Sequence, residues 1–196
     1  MKNKILYLHG FLSSPNSVKA QQTKAYLTQH YPELGIVMPQ LPNDPAVVKK
    51  ELTDILVEHK NELIGVVGSS LGGYFAAWCS YQLNLPAVLI NPAAYPYILL
   101  EDYFGEHVHP YTQETFVVTP DFNNELKSFE VPLVPVLPLW VLVQTADETL
   151  NYQDAVNKYK GCRFTIEEGG DHAFQQYERF LPDIVEYFTR RLDKIS

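Results

Sequence analysis

The chain has 196 residues, 46% of them hydrophobic, and a formal net charge of −8 at pH 7. That length suits one domain with a substantial core, and the composition excludes a disordered chain. The acidic balance argues against a nucleic-acid partner, whose phosphates reward clustered Lys and Arg.

Cys79 and Cys162 are the only cysteines. Their spacing suits no metal site, so both are read as free thiols in a reducing compartment. "MKNKILYLHG" holds too few apolar residues for a signal peptide. The most hydrophobic stretch, 131–143, is interrupted by Pro132, Pro135 and Pro138. It falls short of the roughly 20 residues that a spanning helix needs. The expectation is a soluble, cytoplasmic chain with no membrane span.

The first strand is expected at 5–8, and "YLHGF" follows from its end. Residues 17–30 read as a helix with a weak apolar stripe, and 36–38 as a second strand. The clearest helix is 46–60, where Val48, Leu52, Ile55, Leu56 and His59 share one face. Asp44 can cap its start, with Pro45 at the first helical position. A third strand at 64–67 runs into "GSSLGG", then the helix-compatible "LGGYFAAWCSY", then a fourth strand at 87–90.

Residues 91–139 break this rhythm. No clean strand is legible there, the segment holds seven prolines, and Tyr95, Tyr97, Tyr103, Phe104 and Tyr111 crowd its first half. Such an excursion reads as a lid or substrate-binding loop, with a structural flap over a sheet edge as the alternative. Strands follow at 140–143 and 164–166. The last helix has Leu181, Ile184, Val185, Phe188 and Leu192 on one stripe. Short apolar strands alternating with helices predict an α/β fold in one domain over 1–196. Its mostly parallel sheet of about six strands should carry helices on both faces. Sites in such sheets lie at the C-terminal ends of the strands.

"GSSLG", residues 68–72, fits G-x-S-x-G with Ser70 at its centre. A serine nucleophile must stand proud of the sheet on a sharp strand-to-helix turn. Gly68 and Gly72 give that turn room, and Gly73 would let the new helix pack close. Ser69 does not fit, since Val67 would replace the first glycine. A plain packing turn is the alternative reading. No Gly-Lys-Ser/Thr follows, which argues against a P-loop.

A serine hydroxyl needs a base to take its proton. Of the six histidines, His30 and His59 end helices as solvated or capping residues. His107 and His109 lie in the excursion and are read as surface loop. His9 follows the first strand and is read as shaping its loop. His172, in "EEGGDHAF", lies just past the strand at 164–166, on the same sheet edge as Ser70, where Gly169 and Gly170 allow the chain to turn.

The base needs an acid to hold its tautomer. Asp147 ends the preceding strand in "WVLVQTADETL", with Glu148 and Asp154 as alternatives nearby. Asp171 adjoins His172 in sequence, where side chains on a loop diverge, so it is read as structural. An oxyanion hole needs backbone N–H groups aimed at the developing charge. Leu71, after the nucleophile, and Phe11, after Gly10, are the candidates. The order Ser70, Asp147, His172 is that of the α/β-hydrolases.

Taken together, "LYLHGFLSSP", "MPQLP", "GSSLGGYFA", "INPA" and "EGGDHAF" resemble the YqiA-type esterases, a small bacterial branch of the α/β-hydrolase superfamily. The resemblance runs from Leu6 to Phe174. It implies Ser70 as nucleophile, Asp147 as acid and His172 as base, and cleavage of carboxylic esters, with acyl-CoA thioesters a further class. The expected partner is a small acyl ester or thioester, and no metal or organic cofactor is needed. No strong basic cluster near the predicted loops marks a site for CoA phosphates. An acyltransferase using the same acyl-enzyme, or a non-catalytic small-molecule-binding protein on the same fold, are the other readings.

Overall fold

The computed structural model describes residues 3–132 and 136–190. The expectations placed on Pro135 and Leu192 lie outside them. Among the described residues eight strands run in chain order: β1 (Lys4–Leu8), β2 (Gly35–Val37), β3 (Leu63–Ser69), β4 (Ala87–Ile90), β5 (Gly105–Val108), β6 (Thr115–Val118), β7 (Leu139–Gln144) and β8 (Arg163–Glu167). Six of them form one sheet in the order β2-β1-β3-β4-β7-β8, and each neighbouring pair is parallel. All six are the strands expected from the apolar runs.

The helices are α1 (Val18–His30), α2 (Pro45–Glu58), α3 (Leu71–Leu83), α4 (Pro96–Leu99), α5 (Pro120–Lys127), α6 (Tyr152–Lys158) and α7 (Leu181–Thr189). Side chains alternate across a strand, so one sheet supplies two cores. Leu6 and Leu8 of β1 pack with Val48 and Leu52 of α2 and with Tyr74 and Phe75 of α3. Ile5 and Tyr7 of the same strand face the other way, towards Leu27 of α1 and Ile184 and Phe188 of α7. The central strands β3, β4 and β7 are buried at every residue, which is why their sequences are apolar up to the polar residues Ser69 and Gln144 that end β3 and β7. At the edge, β8 is only partly covered.

Local chemistry sets the helix starts. Asp44 Oδ1 accepts the Ala46 N–H at 2.8 Å and Pro45 opens α2, a cap that contributes about 1 kcal/mol. His59 ends α2 as expected, but its ring is not simply solvated. Its Nδ1 lies 3.0 Å from Glu62 Oε2, and that oxygen also takes Lys4 Nζ at 2.7 Å. The C-terminus of α2 is thereby tied to the start of β1.

The excursion differs from the expectation of no strand. β5 and β6 form an antiparallel hairpin between a 3-10 turn at Leu100–Tyr103 and α5. Both strands stand largely in solvent, so no burial pattern marked them in the sequence. His109 closes their connection and is buried, contrary to its reading as surface loop. Its Nδ1 accepts the N–H groups of Tyr111 and Thr112 at 3.2 and 3.1 Å.

Beyond the hairpin the excursion joins the body. Tyr74 OH donates to Leu126 O at 2.8 Å, and the Phe129 ring sits 4.7 Å from that of Phe75. Lys158 Nζ reaches Glu130 Oε1 at 2.7 Å and Ala94 O at 2.6 Å. Burial pulls the Lys158 pKa down, and Glu130 opposes that pull. Burial and Glu130 together push the Tyr97 hydroxyl up to about 12.

Candidate active site

β3 ends where the chain must turn into α3, and Ser70 makes that turn. Its φ of 55° with ψ of −121° is a conformation that side-chain-bearing residues rarely adopt, costing about 1–3 kcal/mol. The neighbouring glycines allow it. A Cβ on Gly68 would lie 2.1 Å from Gly72 O, and one on Gly72 would lie 2.1 Å from Leu8 O. Neither position has space for a side chain. The turn is fastened to the next strand by Ser70 N–H donating to Ile90 O at 3.0 Å and by Ala93 N–H donating to Ser70 O at 3.1 Å.

The β1 loop lies against this turn, since a Cβ on Gly10 would fall 3.1 Å from Ser70 Cβ. His9 shapes the loop. Its Nε2 accepts the Leu41 N–H at 2.9 Å, and its Nδ1 lies 2.9 Å from Gly10 O. An acceptor at Nε2 and a carbonyl at Nδ1 together demand the neutral ring with its proton on Nδ1. Burial lowers the His9 pKa in the same sense. The "MPQLP" stretch therefore matters locally, because Leu41 supplies the N–H that His9 accepts.

At the C-terminal ends of β7 and β8, Asp147 and His172 come together. His172 Nδ1 stands 2.8 Å from Asp147 Oδ2 and 3.0 Å from Oδ1. Asp147 Oδ1 also accepts from Thr149 and Leu150 N–H at 2.9 and 2.8 Å, so its carboxylate is fixed from several sides. The carboxylate is 2% exposed against 25% for the imidazole. With Nδ1–H donating to Asp147, Nε2 carries the free lone pair of the ring. Glu148, the alternative acid, does something else: its Oε2 accepts the His172 backbone N–H at 2.9 Å. Asp154 lies in the first turn of α6, and Asp171 accepts from Gln175 Nε2.

Ser70 opens onto the same edge. A cavity of about 80 Å³ is lined by Ser70 with Phe11, Leu71, Leu99, Leu100, Tyr103 and Leu150. Leu150 is also one of the residues bonded to Asp147. Among the described residues Ser70 Oγ makes no hydrogen bond to His172, whose ring is bonded to Asp147. Such contacts are often long without substrate. Of the aromatic residues of the excursion, Tyr103 is the one that lines this cavity, packed edge-on to Phe11 at 5.8 Å.

The described residues include no cluster of His, Cys, Asp and Glu able to hold a metal ion. No described helix is long and apolar enough to cross a membrane. Cys79 and Cys162 are both free.

A family model described as an uncharacterised protein family, UPF0227, matches residues 4–189. The chain belongs to that family, the YqiA-type branch of the α/β-hydrolases. Solved structures agree on the fold of this UPF0227 member. Est1E from Butyrivibrio proteoclasticus superposes with a TM-score of 0.70 at 13% identity, over 96% of this chain and 87% of that one. The mouse α/β hydrolase domain-containing protein 10 gives 0.69 at 19% identity, over 100% and 92%. A monoacylglycerol lipase from Paleococcus ferrophilus gives 0.68 at 13% identity, over 94% and 93%. Similarity at these identities shows the α/β-hydrolase fold.

Sequence reasoning overlooked several polar residues around the UPF0227 site. Lys19 Nζ donates to Ala173 O at 2.7 Å. Burial lowers the Lys19 pKa, and the carboxylates of Asp171 and Asp147 oppose that. Asn91 and Gln144 are buried at 3% exposure each. The signal for Asn91 was present in "INPA", where a polar residue ends an apolar strand. Nothing local marked Gln144 or Lys19.

Proposed function

We propose that the protein is a serine hydrolase that cleaves carboxylic acyl esters or thioesters through an acyl-enzyme on Ser70. The observation that carries this reading is the Asp147–His172 pair, bonded at 2.8 Å on the sheet edge where Ser70 is held at a φ of 55°. His172 Nε2 takes the Ser70 hydroxyl proton as Oγ attacks the substrate carbonyl carbon. The N–H groups of Phe11 and Leu71 receive the charge that develops on the carbonyl oxygen. As the intermediate collapses, the imidazolium returns its proton to the departing alkoxide or thiolate. Water then repeats the sequence on the acyl-enzyme, with His172 as base, and the carboxylic acid leaves.

The cavity supports an uncharged, apolar group beside the reacting carbonyl, because none of its walls is an acid or a base. A cavity of about 150 Å³ holds benzene, so about 80 Å³ takes roughly three or four carbons. Burying such a group contributes about 0.8 kcal/mol per methylene. That supports esters of short acyl chains as the substrates to try first.

Intact mass after treatment with a fluorophosphonate tests the reading. One adduct on wild type and none on Ser70→Ala is the expected result. A folded wild type that takes no adduct would overturn it.

A further inference from the structure

The base-bearing segment, 168–176, lies between β8 and the 3-10 turn Tyr177–Phe180 and has no repeating structure. Buried backbone groups without a ladder need other partners. Thr145 Oγ1, Glu148 Oε2 and Lys19 Nζ serve Gly169 N–H, His172 N–H and Ala173 O, and two buried amide side chains serve Asp171, His172 and Gln175. Asn91 Nδ2 donates to Asp171 O at 2.9 Å and to His172 O at 3.3 Å. Gln144 Oε1 accepts from Asp171 N–H at 3.2 Å and from Gln175 N–H at 2.8 Å. Gln144 Nε2 donates to Gln175 O at 3.0 Å.

Asn91 is also bonded to β7, the strand that carries Gln144. Asn91 Oδ1 accepts the Gln144 N–H at 3.0 Å, and Asn91 N–H donates to Leu142 O at 2.8 Å. This pattern fixes the amide of Asn91 in one orientation, because a flip would set its oxygen against two carbonyls and its NH2 against an N–H. The fit is tight at Gly170, whose φ is 75° and where a Cβ would lie 2.0 Å from Gln144 Oε1.

Asn91 itself has a φ of 39°, a region where Asn is tolerated better than most residues. Its position in the chain matters more. Ile90, one residue before, accepts from Ser70 N–H, and Ala93, two residues after, donates to Ser70 O. The backbone around Asn91 thus grips the nucleophile turn, while its side chain grips the carbonyl of His172.

We infer that Asn91 is a positioning residue that sets the separation of Ser70 from His172, with Gln144 holding the far end of the base loop. The inference rests on the triad reading above. It explains why a loop without secondary structure can present an imidazole accurately enough for proton transfer, where a misplacement of about 1 Å costs about 10²-fold in rate.

The test is Asn91→Asp, which keeps the Oδ1 acceptor and the tolerance of the backbone angle but turns a carboxylate oxygen towards two carbonyls. With p-nitrophenyl butyrate, kcat should fall about 10²-fold. KM should hold, since Asn91 does not line the cavity. The downfield proton signal of the His172–Asp147 hydrogen bond should shift or broaden. A folded Asn91→Asp protein with kcat within about threefold of wild type would overturn the inference. So would a loss carried by KM alone, or a lowered melting temperature with kcat unchanged. If Asn91→Asp does not fold, Gln144→Glu replaces it. That variant preserves volume and the Oε1 acceptor, removes the donor to Gln175 O and to Glu167 Oε2, and sets a second carboxylate beside Glu167. Its kcat should fall with KM unchanged, and an unchanged kcat would equally overturn the inference. Ser70→Ala, run alongside, separates the two claims. A wild type no faster than Ser70→Ala would sink the triad reading and this inference with it, whereas a Ser70-dependent wild type matched by Asn91→Asp would sink the Asn91 assignment alone.

Discussion

Asp147 and His172 stand 25 residues apart in the chain and 2.8 Å apart in space. The parallel pairing of β7 with β8 delivers both to one edge, and the carboxylate holds the proton of the ring on Nδ1. Asp147→Asn would keep the oxygen that accepts from Thr149 and Leu150 but would offer the ring an NH2 group. The imidazole would then favour the wrong tautomer. Steady-state ester hydrolysis should fall by about 10⁴-fold, the scale of the equivalent change in serine proteases, with the melting temperature nearly unchanged. Near-normal turnover would reject Asp147 as the acid.

The cavity beside Ser70 predicts a chain-length profile. Among p-nitrophenyl esters, kcat/KM should peak near butyrate and fall towards octanoate and longer chains. Leu99, a wall of the cavity that is 37% exposed, can be shortened at little cost to stability. Leu99→Ala should move the peak to longer chains. A profile that rises through octanoate in wild type would show that the cavity does not limit the acyl group.

His9 predicts a pH dependence of stability. Burial depresses its pKa below 6.5 in the folded state, so the unfolded chain binds the proton more readily. The His9 contribution to stability is therefore present above about pH 6.5 and is lost as pH falls through the folded value. Protonation at Nε2 would also remove the acceptor of the Leu41 N–H. Urea midpoints measured between pH 8 and 5 should decline less steeply for His9→Asn than for wild type. Parallel slopes would remove His9 from the account.

Lys158 and Glu130 predict an asymmetry between two variants. The lysine side chain is 3% exposed and the glutamate 36%. Removing the glutamate strands a buried cation, whereas Lys158→Met removes the charge and keeps much of the volume. A fully buried pair broken this way loses about 3–5 kcal/mol, and the exposure of Glu130 reduces the expected loss for Glu130→Ala to about 1–3 kcal/mol. Urea unfolding should rank Glu130→Ala as the less stable variant. The reverse order would mean that Lys158 acts chiefly through Ala94 O and the ring faces of Tyr74 and Tyr95.

The six strands of the main sheet were legible because burial on both faces leaves an apolar run as its local trace. The glycines around Ser70 were legible because a strained turn admits few residue types, and the places of Asp147 and His172 at strand ends followed from strand–helix alternation. The hairpin of β5 and β6 was not legible, since strands standing in solvent carry no such trace. The burial of His109 was hidden for a related reason, because its partners are backbone N–H groups that any residue could supply.

By itself the sequence determined the strand–helix alternation, and with it the sheet edge on which Ser70, Asp147 and His172 fall. Hydrophobic period and turn chemistry are properties of neighbouring residues, so they survive in a linear text. Only the tertiary structure decided what holds the loop that carries His172. Asn91 meets Asp171 across 80 residues because β4, β7 and β8 are consecutive in the sheet. A hydrogen bond between a buried amide and a distant carbonyl depends on that strand order, which no local pattern encodes.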